Sequence, residues 1–219
     1  MKLLNRRQCL CPTLPGWLVI ALLLGLMGIL LVNRAYGFLA PNDPLGGDAL
    51  VIEGWLADEE LVRAKARLEA GNYRLVITTG GPLGQGSFLS EYQSYAQLAQ
   101  ASLQKIGVGM PVVAVPAPDV LRDRTFASAL ALKRWLVEQH PEIRSFDLLT
   151  AGPHARRSLM LFREAFGDEY KIGIISLAPL SYDASRWWIS SAGVRSMIGE
   201  SIAWLYAAVL FSPPGDASL

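Results

Sequence analysis

Short apolar, β-rich runs alternate with amphipathic helical stretches along most of this chain, and that alternation predicts an α/β fold. The expected form is a Rossmann-like three-layer sandwich with a mainly parallel sheet of about five strands. A second observation places one N-terminal transmembrane helix ahead of it, because residues 16–33 are almost wholly apolar. A third bounds the size: 219 residues, 52% of them hydrophobic, suffice for one domain with a real core plus an accessory segment. The expected divisions are a short cytoplasmic N-terminus (1–15), the transmembrane helix (16–33), a linker (34–47), the α/β domain (48–212) and a tail (213–219).

The seventeen residues from Gly16 to Val32 carry no charge. As a helix they span roughly 25 Å, just enough for hydrocarbon. Trp17 on one side, and Tyr36 and Phe38 on the other, suit the two interfaces. A cleaved signal peptide is the competing reading, with Ala35-Tyr36-Gly37 as its small-x-small site. The run exceeds a signal core and Arg34 intervenes, so a retained span is expected. Lys2, Arg6 and Arg7 precede it and only Arg34 comes closely after, which keeps the N-terminus in the cytoplasm and the domain outside. Cys9 and Cys11 fall on the cytoplasmic side; with no second pair and no histidine nearby they make no zinc site. Juxtamembrane acylation stays open, beside the plainer reading as small apolar residues. The domain has no cysteine and must be stable from its core alone.

Ala40-Pro-Asn-Asp-Pro-Leu-Gly-Gly47 reads as a short, turn-rich connection. Strands are expected at 49–53, 74–79, 112–115, 145–150 and 171–176, and helices at 58–70, 89–106, 124–139, 154–166 and 192–211. In the last helix Val194, Met197, Ile198, Ile202, Leu205, Tyr206, Val209 and Leu210 make an apolar face. It is too short to span a bilayer. Docking on the sheet is the expectation, with membrane-surface contact through Trp187, Trp188 and Trp204 as the alternative.

Ligands in such sheets bind at the carboxyl ends of the strands, where strand order reverses. The unusual polar residues lie there. Glu53 ends the first strand, where a buried carboxylate is costly unless paired or functional. Thr79, Gly80 and Gly81 end the second, and two glycines let backbone N–H groups approach a ligand. Ser90 is expected as an N-cap, with Glu91 in the first helical turn. Arg122, Arg124 and Thr125 lie beyond the third strand. The fourth strand runs into Thr150-Ala-Gly-Pro-His154-Ala-Arg-Arg157, a strand-to-helix corner that favours an anion. The chain has two histidines, and His140, before Pro141, reads as a capping or solvent residue. Histidine chemistry therefore belongs to His154.

This inventory suits an anionic ligand. Arg157 with Arg122 or Arg124 would grip phosphate oxygens, and Glu53 or Glu91 would hold a divalent cation or partner His154 in acid–base work. No Walker lysine loop, Gly-x-Ser-x-Gly elbow or His-Glu-x-x-His pair is present, which disfavours the ordinary NTPase, serine-hydrolase and zincin chemistries. The formal charge of +1, without a basic stripe, argues against nucleic acid.

Thr150, His154 and Arg157 at a strand end and helix start resemble the last motif of the YdcF/SanA/ElyC-type proteins. The first strand Ala49–Trp55, the double glycine after Leu75–Thr79, Ser90-Glu91 and the helix start Arg122–Ser128 come in that family's order, over roughly residues 48–211. Glu53-Gly54-Trp55 replaces its usual glycine cluster, and Ala127-Ser128 stands where an acidic residue and Asn are common. The resemblance implies a bacterial envelope role, in barrier function or the handling of cell-wall and lipid-linked precursors. The resulting expectation has two forms. One is a membrane-anchored protein that binds and hydrolyses or transfers a phosphate-bearing ligand, small or lipid-linked. In it His154, Glu53 and Glu91 are catalytic, and Thr79, Gly80, Gly81, Arg122, Arg124, Thr125, Ser128, Thr150 and Arg157 bind the ligand. The other is a non-catalytic binding or scaffold protein using the same crevice.

Overall fold

A computed structural model describes residues 12–84 and 90–213. Lys2, Arg6, Arg7, Cys9 and Cys11, the expected helix start at 89 and the tail from 214 lie outside the described residues. The chain divides into two compact units, one through Ala35 and one from Tyr36 onward.

Helix α1 (Leu14–Leu39) is apolar all round, so it has no single face to turn toward a core. Its 26 residues, with a mean hydropathy of 2.4 over an 18-residue stretch, make it long and apolar enough to cross a membrane. The helix outruns the expected span and takes up the first part of the expected linker. The rest of that linker is no tether either. Asp43 bridges antiparallel to Ile174, donating its N–H at 2.8 Å and accepting one at 3.1 Å. Asn42 Oδ1 accepts the Ser176 N–H at 3.2 Å. Residues 176 and 174 lie on an edge strand, whose unpaired backbone groups need partners, and this segment supplies them.

The globular unit is a five-stranded, all-parallel sheet in the order β3-β2-β1-β4-β5: β1 (Ala49–Glu53), β2 (Leu75–Gly80), β3 (Val112–Pro116), β4 (Ser145–Ala151) and β5 (Lys171–Leu177). Order reverses between β1 and β4, the place where such sheets open a crevice. Side chains alternate between two cores. Leu50, Ile52, Val76 and Leu149 face helices α2 (Asp58–Glu69) and α3 (Tyr95–Lys105). Ala49, Val51, Ile77, Phe146 and Leu148 face α4 (Arg124–Gln139) and α5 (His154–Phe166). By this parity Glu53, Thr79 and Thr150 all emerge on the α4/α5 face. Helix α6 (Ser191–Val209) comes after a 3-10 turn at Ala184–Ile189, and Ala207 and Phe211 rest against the second core.

One expectation needs correction. Helix α3 begins at Tyr95, and its N-cap is Ser94, whose Oγ accepts the Gln97 N–H at 3.2 Å. Ser94-x-x-Gln97 is the better capping signal, since Gln97 Oε1 also turns back to accept the Gln93 N–H at 3.0 Å. Ser90 caps only a local turn, accepting the Tyr92 N–H. Strand β4 also carries a buried charge among its apolar residues. Fully buried Asp147 accepts the Leu45 and Gly46 N–H groups at 2.7 and 2.9 Å and the Tyr73 hydroxyl at 2.7 Å. A buried carboxylate so supplied with donors is a fixed strut between the entry segment and the sheet.

Candidate functional site

The chain climbs out of β4 through Gly152, whose φ of +52° suits glycine, and Pro153, which opens α5. His154 is thereby the first residue of α5, and its side chain folds back toward the end of β1. Nε2 lies 3.5 Å from Glu53 Oε2. Glu53 is buried, and Ser158, one turn along α5, holds its Oγ 3.0 and 3.1 Å from the two carboxylate oxygens. Thr150 Oγ1, also buried, makes no hydrogen bond of good geometry yet stands close enough to stabilise the same carboxylate. Trp55 meets the imidazole edge-on at 5.0 Å and forms the outer wall.

The other side of His154 belongs to a residue the strand ends do not supply. Glu200 comes from the inner face of α6, and its Oε1 accepts from His154 Nδ1 at 3.0 Å. Arg157 donates Nε to Glu200 Oε2 at 2.9 Å and Nη2 to Oε1 at 3.1 Å, a bidentate pair. Arg157 Nη2 also lies 2.9 Å from His154 Nδ1, both gathered on the shared carboxylate. Arg157 Nη1 points to Thr125 Oγ1 at 3.4 Å, which brings in the start of α4. Two carboxylates, an imidazolium and a guanidinium thus make a neutral cluster.

Electrostatics set the protonation. Burial alone would lower the His154 pKa, but the charges and hydrogen bonds of Glu53 and Glu200 overcome it and raise it to about 9. Burial would likewise raise Glu200, yet the hydrogen bonds and charges of His154 and Arg157 hold it at about 2. Glu53 also ends below the usual carboxylate range: desolvation opposes this, and the His154 charge, with the nearby Thr150 hydroxyl and the Ser158 hydrogen bonds, prevails. At neutral pH His154 is therefore a proton donor with no free basic nitrogen. The two carboxylates differ in depth. The Glu53 side chain is 5% exposed and the Glu200 side chain 21%, so Glu200 is the more accessible of the two.

Of the residues singled out in the sequence, Glu53, Thr125, Thr150, His154 and Arg157 meet here. Thr79, register partner of Glu53, is buried on the same sheet face and points its hydroxyl at the Ser128 carbonyl at 3.5 Å, the limit for a hydrogen bond. Gly80 has a structural reason to be glycine: a Cβ there would stand 2.9 Å from Tyr95 Cβ, and φ is +157°. Gly81 is roomier, with only the Pro118 carbonyl near, at 3.9 Å. Arg122 is exposed beside Asp123, 3.7 Å away, and Arg124 is exposed. Glu91 is a correction: it is exposed in the turn before α3, beside Tyr92 and Gln93, and makes no hydrogen bond or ion pair with the His154 cluster. Glu200, Ser158 and Trp55 were not anticipated. A signal for Glu200 existed, since it is the only acidic residue between Ala184 and Pro213.

The donor set does not suit a divalent cation. Both Glu53 oxygens face the Ser158 hydroxyl, and a protonated imidazole stands beside them, while Glu91 lies apart. Among the described residues no group of three His, Cys, Asp or Glu side chains is arranged for a metal ion. No protein-family model matches this chain, and no curated protein sequence matches it.

Proposed function

We propose that the crevice between β1 and β4 binds an anionic, phosphate-bearing ligand and that His154 serves there as a general acid in its hydrolysis or transfer. The observation that carries this reading is the geometry of His154, set between a deep carboxylate 3.5 Å from Nε2 and a more exposed one on Nδ1, with the Arg157 fork beside it. A phosphate group has the shape and charge to replace the Glu200 carboxylate on Arg157. Glu53 would keep the imidazole oriented during the exchange, and Nδ1–H would face the leaving oxygen. With α1 as the anchor and the basic residues ahead of it, the domain would stand outside the cytoplasmic membrane. The resemblance to YdcF/SanA/ElyC-type proteins then points to envelope biogenesis or barrier function.

A non-catalytic binder is the second reading, favoured by the closed Arg157–Glu200 pair, which makes the cluster stable without any ligand. Mutants of the full chain, tested against phosphorylated sugars, nucleotides and polyprenyl phosphates, separate the two. For an enzyme, His154→Ala abolishes turnover while affinity stays within a few fold. For a binder, the same change alters affinity alone. Arg157→Lys should weaken phosphate binding about tenfold to a hundredfold, because lysine lacks the planar fork. Unchanged affinity in Arg157→Lys would remove the clamp from the proposal.

A further inference from the structure

Helix α6, which delivers Glu200, has a second face that the globular unit leaves uncovered. Met197, Glu200, Trp204 and Ala207 lie on its inner side and are buried or partly so. At about 100° per residue, Ile198, Ile202, Leu205 and Val209 fall roughly opposite. They are 53%, 65%, 55% and 68% exposed. No Asp, Glu, Lys or Arg occurs from Ser201 to Phe211, and the charge on this side is exposed Arg195, about a turn before Ile198. Just ahead, in the 3-10 turn, Trp188 and Ile189 are exposed as well. An uncharged apolar stripe of this length on an outward face marks a surface that something covers.

The contact at Trp204 indicates what. Its ring meets Phe38 edge-on at 5.0 Å, and the Arg156 guanidinium lies 3.9 Å over the same Phe38 ring while donating to the Phe38 carbonyl. Phe38 sits in the last turn of α1, and only residues 33–37 separate it from the apolar run that ends at Val32. Even fully extended, those residues keep Phe38 within about 20 Å of the end of that run. Helix α6 is thus held, by chain length alone, close to where a membrane-crossing α1 would leave the hydrocarbon.

We infer that α6 is seated on the bilayer that α1 crosses, with Ile198, Ile202, Leu205 and Val209 in the acyl boundary and Trp188 at the headgroup level. From Ile198 to Val209 the stripe carries no charge, and Arg195 stands only at its start, so apolar burial drives the contact and anionic headgroups are not required. This docking does not depend on the ligand proposed above. If both hold, the His154 cluster lies across α6 from the lipid, about one helix diameter, or roughly 10 Å, away.

The test uses the full chain with Cys9→Ser and Cys11→Ser, reconstituted into phosphatidylcholine vesicles. An environment-sensitive fluorophore is placed in turn on Ile202→Cys, Leu205→Cys and, as a solvent-facing reference, Leu121→Cys, which is fully exposed. All three positions are outside the core, so the labels leave its packing intact. The expected result is a blue-shifted emission at 202 and 205, quenched several-fold more strongly by brominated phosphatidylcholine than at 121. Quenching should persist in high salt and on dilution of protein into more lipid. Equal quenching at all three sites overturns the inference. So does a blue shift without bromolipid quenching, which means that protein covers the stripe. A signal that fades on dilution assigns the face to a second copy, and one that fades with salt assigns it to charge; either result overturns the inference.

Discussion

His154 contributes most to the fold when charged, and this makes the cluster a pH-dependent element. Its folded pKa of about 9 stands above the ordinary 6.5, so its contribution is complete below pH 6.5 and is lost as pH rises through 9. Glu200 runs the other way: held at about 2 against 4.5, it contributes fully above pH 4.5 and loses that as pH falls through 2. The two windows overlap between pH 4.5 and 6.5, where this cluster is strongest. We expect the melting temperature to fall between pH 6.5 and 9, by an amount on the order of 3 kcal/mol in stability at most. Replacement of His154 by Gln should flatten that limb in a thermal melt series. A wild-type profile already flat over this range would contradict the coupling. Much of this site was readable residue by residue. A carboxylate ending a buried strand is conspicuous, and a histidine and arginine one turn apart on a helix start point the same way. Glu200 was not, because it is far away in sequence and only helix packing brings it to His154.

Among the elements, the helix starts test how the strand ends are built. Ser94 is buried and caps α3, so Ser94→Ala should cost about 1 kcal/mol. Ser90→Ala should cost little, since its hydroxyl serves an exposed turn. Equal melting temperatures for the two variants would show that the cap contributes nothing. The same helix start explains the glycines. A Cβ on Gly54 would lie 2.7 Å from the Tyr95 carbonyl carbon and 3.0 Å from Ala96 N, backbone atoms that cannot step aside without moving α3. Gly54→Ala should therefore destabilise by roughly 1–3 kcal/mol, whereas Gly81→Ala should be nearly neutral to folding. Denaturant titration of the two variants decides it; a tolerated Gly54→Ala would mean that α3 is free to shift. The adjacent Gly80 and Gly81 were expected to let backbone N–H groups approach a ligand; at Gly80, as at Gly54, the missing side chain makes room for Tyr95 and its neighbours.

For the whole molecule, the charges flanking α1 predict an orientation that proteolysis can read. Protease added outside intact spheroplasts should digest the chain beyond residue 48, while a tag at Met1 stays protected. A protected globular unit would reverse the orientation argued from Lys2, Arg6, Arg7 and Arg34. A mature chain that begins near Phe38 would instead make the apolar run a cleaved signal.

Local pattern in the chain was enough for the class of fold, the five strands to within a residue or two and the apolar helix ahead of them. Each rests on short-range regularity: apolar runs of strand length, 3.6-residue periodicity, and an uncharged stretch long enough to span hydrocarbon. The same reading singled out Glu53, His154 and Arg157, because polar residues beside buried strand ends are costly without a reason. Which partners those residues have was set by packing. The parity of β1 and β4 sends Glu53 and Thr150 to the face that α5 covers, and α6 returns across that face to set Glu200 against His154 and Arg157. Glu91, well beyond the end of β2 at Gly80, is left in solvent ahead of α3, which starts at Tyr95. Local pattern carries no information on such long-range register, which depends on how whole helices settle on the sheet.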